Sequence, residues 1–401
     1  MNLLYVAPFG LGKKTTIWAR TLPLARELVA RGHQATIVIP PWDTPKDAGR
    51  TWEEDGVTLV NVALGGGVTL TVRRMLGEVV RVQPDLVHIV KPRAHAGLVQ
   101  WLLWQRRLWQ RGNRPRLVLD VDDWEQAWAE INDYGRFTAR FLAWQEEWGI
   151  RHADGVTAAS RWLEDRVGTY APGTPVLYLP NGVMGEKIGE SWTQRREGAE
   201  GRKEVDEIGE IRVLFFSRFV EVEPDWLAEC WFWLHEGMPN VRLIVAGEAL
   251  TPGREAIFRQ AMAEHAPDAA QAVEWRGFVP PDQLAALYRE ATVAIFPADP
   301  VPLQQAKCSV RLATTLLHGA PVVASAVGEQ ANYGAEGAAA LVPPGASPQA
   351  FAEATAQLIQ RLQAAPSLRT AITTQARERL TRVYNWPRLA AQLEAFYDSI
   401  L

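Results

Sequence analysis

Apolar residues along the chain come in short unbroken runs separated by helix-length amphipathic stretches. Leu3–Ala7, Ala35–Ile39, Val57–Val62, Asp85–Val90, Arg116–Val121, Gly155–Ala159 and Val176–Leu179 are such runs. They are continuous rather than alternating, as strands buried on both faces require. The first helical pattern covers Thr16–Arg31, with Leu22, Leu24, Leu28 and Val29 on one side and Gly32 as its stop. The series breaks at residues 186–212, where 14 of 27 residues are charged, the composition of a solvated linker or insertion. It resumes with strands at Val213–Phe216, Val241–Ala246, Val273–Arg276, Val293–Phe296 and Pro321–Ala324. Helices at Asp225–His235, Arg254–His265, Asp282–Glu290 and Val310–His318 alternate with them.

This pattern predicts an α/β chain of two doubly wound Rossmann-like domains. The first spans residues 1–185, a charged linker or insertion 186–210, and the second domain 211–375. A C-terminal helix at 376–401, about Ala376 to Leu401, is free to cross back to the first domain. In such sheets ligands bind beyond the carboxyl ends of the strands, so the cleft between two domains is the expected site.

Composition narrows the class. The chain has 401 residues, 47% apolar and 22% charged, which excludes a disordered chain. A net charge of −4 offers no basic excess for nucleic acid. Two cysteines, Cys230 and Cys308, give no disulfide framework and fit a reducing compartment. The chain opens directly on a strand rather than a signal peptide, and no run of 18 apolar residues would span a bilayer. A cytoplasmic protein is expected, with contact at the inner face of the membrane left open. Of 17 tryptophans, seven fall between Trp101 and Trp148. Trp101, Trp104 and Trp109 share the helix Gly97–Gln110 with Arg106 and Arg107, which suits either a membrane surface or core packing. Trp124, Trp128, Trp144 and Trp148 either pack or line an acceptor groove.

The order of landmarks resembles that of GT-B retaining glycosyltransferases of the glycosyltransferase 4 type over nearly the whole chain. Arg31-Gly32-His33, Asp85-Leu86-Val87-His88, Ala153-Asp154-Gly155-Val156 with Ser160, and Leu179-Pro180-Asn181-Gly182-Val183 carry it in the first half. Phe215-Phe216-Ser217-Arg218-Phe219-Val220, Leu243-Ile244-Val245-Ala246-Gly247, Arg276-Gly277-Phe278-Val279 and Leu287-Tyr288-Arg289-Glu290-Ala291 follow in the second. His318-Gly319-Ala320-Pro321-Val322-Val323-Ala324-Ser325 is the strongest single match, and Val342-Pro343-Pro344-Gly345 and Tyr384-Asn385-Trp386 complete the set. The resemblance implies a GT-B fold, a donor-binding second domain and an acceptor-binding first domain. It also implies transfer with retention and without a metal, the departing diphosphate itself taking the acceptor proton.

Without a metal, the charge of the departing diphosphate must be met by Arg, Lys and helix N-termini. Arg218, just after a strand, is at the position where the family holds diphosphate, and its planar fork suits two phosphate oxygens. The plain alternative is a surface ion pair with Glu221 or Glu223. Ser217 and Gly247 belong to the same donor-side loops, and Gly10 and Gly12 form a strand-to-helix turn open to close approach by phosphate or sugar. Lys13 and Lys14 follow without P-loop spacing.

Three donor-binding groups of the family are missing here: its lysine is Glu223, and its two glutamates are Ala306 and Thr314. Lys307, Ser309 and Arg311 remain nearby, where Lys307 either stands in for the lost lysine or belongs with Arg311 to an ordinary exposed basic turn. Glu329 is a spare carboxylate that would partly replace a glutamate, and Thr314 is a poorer partner for hydroxyls. On the acceptor side, Asp122 is expected to orient a hydroxyl or act as a weak base, with Asp123 beside it, or else either caps the next helix. Lys91, Arg93 and His95 are expected acceptor or phosphate contacts, whereas His88, inside an apolar strand, reads as a core residue. No His, Cys, Asp or Glu group has metal-ligand spacing.

The expected function is therefore transfer of a sugar from a nucleotide sugar, UDP or GDP, to a glycan, lipid or small-molecule acceptor. The nucleotide sugar is substrate rather than cofactor, and no nucleic-acid partner is expected. The alternative is an impaired GT-B protein that binds nucleotide sugar or glycan without turnover. A sugar-nucleotide epimerase of the same fold is weaker, since its site residues are not recognisable.

Overall fold

The computed structural model describes residues 1–12, 16–109, 114–183 and 210–401. The chain divides into two units. The first comprises Met1–Gly182, Ala306–Cys308 and Tyr384–Leu401, and the second Val183–Gln305 and Ser309–Val383. Lys13, Lys14 and the charged linker, apart from Glu210, lie outside the described residues.

The first unit is built on eight strands. These are β1 (Asn2–Val6), β2 (Gln34–Ile39), β3 (Thr51–Glu54), β4 (Val57–Asn61), β5 (Leu86–Val90), β6 (Arg116–Val121), β7 (Gly155–Ala158) and β8 (Val176–Tyr178). Their order is β3-β4-β2-β1-β5-β6-β7-β8, all parallel except the β3–β4 pair. The helices are α1 (Leu22–Ala30), α2 (Gly67–Val82), α3 (Ala94–Trp109), α4 (Trp128–Ile131), α5 (Arg136–Arg151) and α6 (Arg161–Tyr170). Both faces of the sheet are covered, which is why its strands are apolar throughout. Leu4 and Val6 join Met75 and Val99 on one side. Leu3 and Tyr5 join Leu24, Leu28 and Leu393 on the other. The β3–β4 hairpin, absent from the sequence reading, turns at Asp55 and Gly56, both at positive φ (51° and 78°).

The second unit has six strands: β9 (Ile211–Phe216), β10 (Val241–Ala246), β11 (Val273–Gly277), β12 (Val293–Phe296), β13 (Val322–Ser325) and β14 (Ala340–Val342). They run parallel in the order β11-β10-β9-β12-β13-β14. Its helices are α7 (Pro224–Gly237), α8 (Arg254–His265), α9 (Pro267–Ala270), α10 (Pro281–Glu290), α11 (Pro302–Ala306), α12 (Val310–Leu317), α13 (Glu329–Gly334), α14 (Pro348–Ala364) and α15 (Ser367–Val383). A last helix, α16 (Trp386–Ile400), belongs to the first unit, where it packs on α1.

Two expected helices depart from a single regular α-helix, one by a change of hydrogen-bond pattern and one by a break, and each has a proline at the change. The stretch Thr16–Arg31 is a π-helical turn at Ile17–Thr21 followed by α1, with Pro23 in the first turn of α1. Proline has no N–H to continue the i→i−4 ladder, so the bonding widens before it. The stretch Ala376–Leu401 is the end of α15 and then α16. Asn385 caps α16 by accepting from the Arg388 amide at 2.8 Å, and Pro387 sits in its first turn. Among the described residues no helix is long and apolar enough to cross a membrane.

Each sheet has one place where the strand order reverses, between β1 and β5 in the first unit and between β9 and β12 in the second. The carboxyl ends of those strands form the crevice where doubly wound sheets take ligands. The residues that follow them are Pro8–Gly10, Lys91 and Ser217–Arg218.

Candidate functional site

In the second unit, β9 runs out at Phe216 and the chain turns sharply. Phe219 adopts a positive φ of 60° because its ring is drawn into the core, 5.1 Å from the Phe258 ring and 6.4 Å from the Trp275 ring. The turn is tied by Glu221. Its Oε2 accepts from the Ser217 hydroxyl at 2.7 Å, the Val220 amide at 3.0 Å and the Arg218 amide at 3.3 Å. Its Oε1 pairs with Arg311 Nη2. Arg311, in the first turn of α12, also donates from Nη1 to the Phe216 carbonyl at 3.2 Å. Gly247, after β10, has φ of 111°, and a Cβ there would lie 2.0 Å from the Ser217 carbonyl oxygen. Only glycine lets these two loops meet.

Arg218 is exposed and, among the described residues, its guanidinium has no ion pair or hydrogen bond. Burial of part of the side chain and repulsion from Arg311 lower its pKa, with Glu221 and Glu248 opposing them. A cation held beside another cation is stabilised by any anion that arrives. The expected ion pair of Arg218 with Glu221 or Glu223 does not form through its side chain. Glu221 holds Arg311 instead, and Glu223 pairs with Arg254 at 3.0 Å.

Lys307 belongs to the first unit, with Ala306 and Cys308, and its ammonium lies over the Trp128 ring at 4.8 Å. Ala306 is fully buried in the apolar cluster of the first sheet, so packing accounts for its small side chain. Glu329 is 1% exposed and accepts from Asn332 Nδ2 at 3.1 Å, which makes it a bound carboxylate rather than a spare one. Thr314 donates its hydroxyl to the Val310 carbonyl at 2.9 Å and keeps only lone pairs to offer. Ser309 precedes α12 but its side chain does not cap it.

In the first unit, Gly10 and Gly12 are glycines because the Pro41–Thr44 loop presses on them. A Cβ on Gly10 would lie 2.6 Å from both Asp43 Oδ1 and Thr44 Oγ1. The Gly10 amide already donates to Asp43 at 2.5 Å, so at this turn the backbone N–H is taken by a carboxylate.

At the ends of β5 and β6 the charged residues form one cluster. Lys91 Nζ lies 2.9 Å from Asp122 Oδ1, 2.9 Å from Asp123 Oδ2 and 3.5 Å from Glu125 Oε1. Burial works against its charge, but these three carboxylates hold its pKa well above the usual lysine range. Arg93 pairs with Glu125 and donates to the Tyr134 hydroxyl at 3.1 Å. Neither Lys91 nor Arg93 is a free contact for acceptor or phosphate, because internal carboxylates already balance both charges. His95 is half-buried, its pKa lowered by burial, and its Nδ1 has no partner among the described residues.

Asp122 is the unusual member. Burial pushes its carboxyl up, Lys91 draws it down, and Asp123 and Asp120 push it up again, to about 7. Its Oδ1 meets Lys91 without the alignment of a hydrogen bond. A carboxyl balanced between forms near neutrality can give or take a proton.

Sequence reasoning missed a buried polar chain beneath this cluster. Arg20, in the π-helical turn, donates from Nε and Nη2 to Asp120, both at 2.7 Å, and from Nη1 to Asn181 at 3.2 Å. Thr157 donates to Asp120 at 2.6 Å, and the Tyr397 hydroxyl and His88 Nδ1 share a hydrogen bond at 2.5 Å. Burial lowers the His88 pKa to about 4, so it is a neutral, satisfied core residue as expected. The available signal was a charged Arg and Asp inside apolar segments, which signals a buried pair.

The tryptophans divide. Trp124 is buried, Trp104 and Trp148 close on the His152 ring at 5.2 Å and 4.2 Å, and Trp144 is exposed. Arg107 on α3 is held by Asp154 at 2.6 Å.

Comparison with known proteins agrees with this architecture. Residues 15–182 match the model of the glycosyl transferase 4-like domain, and residues 210–361 match that of glycosyl transferases group 1. Sucrose-phosphate synthase from Thermosynechococcus elongatus superposes with a TM-score of 0.70 at 18% identity, over 100% of this chain and 99% of that one. Anabaena HepE in complex with UDP and glucose gives 0.62 at 14% identity, over 100% of both chains. WaaG, a glycosyltransferase involved in lipopolysaccharide biosynthesis, gives 0.62 at 17%, over 98% of this chain and 99% of that one. No protein of curated function matches by sequence.

Proposed function

Since the chain belongs to the GT-B glycosyltransferases of the glycosyltransferase 4 type, we propose that it transfers a sugar from a nucleoside diphosphate sugar to a hydroxyl acceptor, with retention and without a metal. The observation that carries this reading is Arg218, whose guanidinium has no partner among the described residues and lies beside Arg311 at the strand-order reversal of the second sheet. The β-phosphate oxygen would sit against Arg218, with Arg311 as the second cation in the role given by the family to the lysine replaced here by Glu223. The bond from the anomeric carbon to that oxygen breaks, the acceptor oxygen bonds to the carbon, and the acceptor proton passes to the departing phosphate. The guanidiniums stabilise the charge that develops on the leaving group. Asp122 supplies the acceptor side with a carboxyl that orients the hydroxyl.

UDP is the first nucleotide to test, because HepE, of the same fold, binds it. Calorimetric titration with UDP, GDP and ADP should give binding by at least one, and Arg218→Ala should weaken it by about 10- to 100-fold, the worth of a charge-assisted hydrogen bond. Binding by none would refute the reading. Product NMR reports retention, and activity after chelation reports the metal question. The second reading, binding without turnover, is favoured by one observation: neither Ala306, buried, nor Thr314, tied to Val310, offers a carboxylate to donor hydroxyls. Tight UDP-sugar binding with no hydrolysis and no transfer over a panel of acceptors would establish it.

A further inference from the structure

Glu221 stands four residues after Ser217 in the sequence, yet it gathers nearly every polar group of the turn. One oxygen takes the Ser217 hydroxyl and the amides of Arg218 and Val220, and the other takes Arg311. The backbone that carries this carboxylate is held as well. The Glu221 main-chain carbonyl accepts from the Asp299 amide at 3.0 Å, and the neighbouring Val220 carbonyl accepts from Gln304 Nε2 at 2.5 Å. The Glu221 side chain is about nine-tenths buried, at 10% exposure. A buried carboxylate with so many donors has a fixed position, and whatever it touches is fixed with it.

Two consequences follow for an anion arriving at Arg218. The amides that a phosphate oxygen would use in a glycine-rich loop are already occupied here, so recognition falls to the guanidiniums. Arg311, whose Nη2 and Nη1 are engaged by Glu221 and the Phe216 carbonyl, retains other N–H groups and cannot swing away. Left alone, two neighbouring arginines would separate by repulsion. Glu221 offsets that repulsion and keeps them adjacent.

Resting on the donor reading above, we propose that Glu221 is the positioning residue of the diphosphate site. By clamping Arg311 and the Ser217–Val220 turn from the rear, it makes Arg218 and Arg311 a preformed pair for the second phosphate, in place of the arginine–lysine pair that this chain lacks. It acts through Arg311 and does not itself touch the ligand.

Calorimetry on the full chain with UDP and with UMP tests this. Wild type should prefer UDP. In Glu221→Gln the amide keeps the size but drops the charge, so UDP affinity should fall about tenfold or more, as expected for one charge-assisted contact. UMP affinity should change less than twofold, so the preference for the second phosphate collapses. Glu221→Asp, which keeps the charge but withdraws it by one methylene, should fall between the two. If the Gln variant unfolds, the Asp variant carries the same comparison. Glu223→Gln, on the same turn but paired to Arg254, should leave both affinities unchanged. Equal losses for UDP and UMP would mean general damage to the fold and would overturn the proposal. So would an unchanged preference, or tighter UDP binding, which would make Glu221 a plug in the anion site. Failure of wild type to bind any nucleoside diphosphate would instead remove the donor reading itself.

Discussion

Asp122→Asn tests the first-unit cluster through stability as well as activity. The carboxyl is raised from 3.8 to about 7, and its side chain is only 9% exposed, so solvent screens little of the effect. A carboxyl whose folded pKa lies above its unfolded value holds its proton more tightly in the folded chain. Ionised Asp122 therefore costs stability, nothing below about pH 4 and progressively more as pH rises to about 7. At about 1.4 kcal/mol per unit, the full cost above pH 7 is about 4 kcal/mol. Asparagine resembles the protonated acid and does not incur it. The variant should match wild type near pH 4 and gain on it by up to about 1.4 kcal/mol per pH unit until pH 7, then hold level. Urea unfolding at pH 5, 6, 7 and 8, followed by tryptophan fluorescence, measures the gap, since seven tryptophans lie between Trp101 and Trp148 of this unit. A gap that stays constant with pH, or that favours wild type as pH rises, would refute the account of the cluster. If Asp122 also meets the acceptor, kcat/KM of wild type should titrate near pH 7 and that of the variant should not.

Three further outcomes are expected. Asp120→Asn leaves Arg20, 2% exposed, without its countercharge, and should cost about 3–5 kcal/mol in urea unfolding. Gly247→Ala drives a methyl into the Ser217 carbonyl at a φ of 111°, so it should destabilise the second unit by about 2 kcal/mol or more and weaken UDP binding. Tyr397→Phe strips His88 Nδ1 of its hydrogen-bond partner, and a loss of about 1–3 kcal/mol in thermal or urea unfolding should result.

The fold was legible because buried parallel strands leave no choice of residue: every position of β5 is buried, and the sequence is apolar there but for His88. What failed in the fold reading was local. Pro23 and Pro387 interrupt helical patterns whose apolar spacing continues across them, and the Asp55-Gly56 turn was overlooked between two short half-polar strands.

The candidate site was legible only where a residue's place follows directly from a strand end. Arg218 and Asp122 come straight after β9 and β6, so counting along the chain finds them. Glu221 and Arg311 are 90 positions apart, and nothing in either segment announces the other. Their partnership depends on β12 and α12 returning the chain to β9, which is a property of strand order. Proximity in sequence pointed instead to an ion pair of Arg218 with Glu221, but that carboxylate takes the Ser217 hydroxyl, the Arg218 and Val220 amides and the Arg311 guanidinium. A buried carboxylate must find its countercharge wherever the fold supplies one. Arg311, anchored by Glu221 and donating to the Phe216 carbonyl, brings a cation from a distant element to the carboxyl end of β9, where the sequence around Glu223 supplies none.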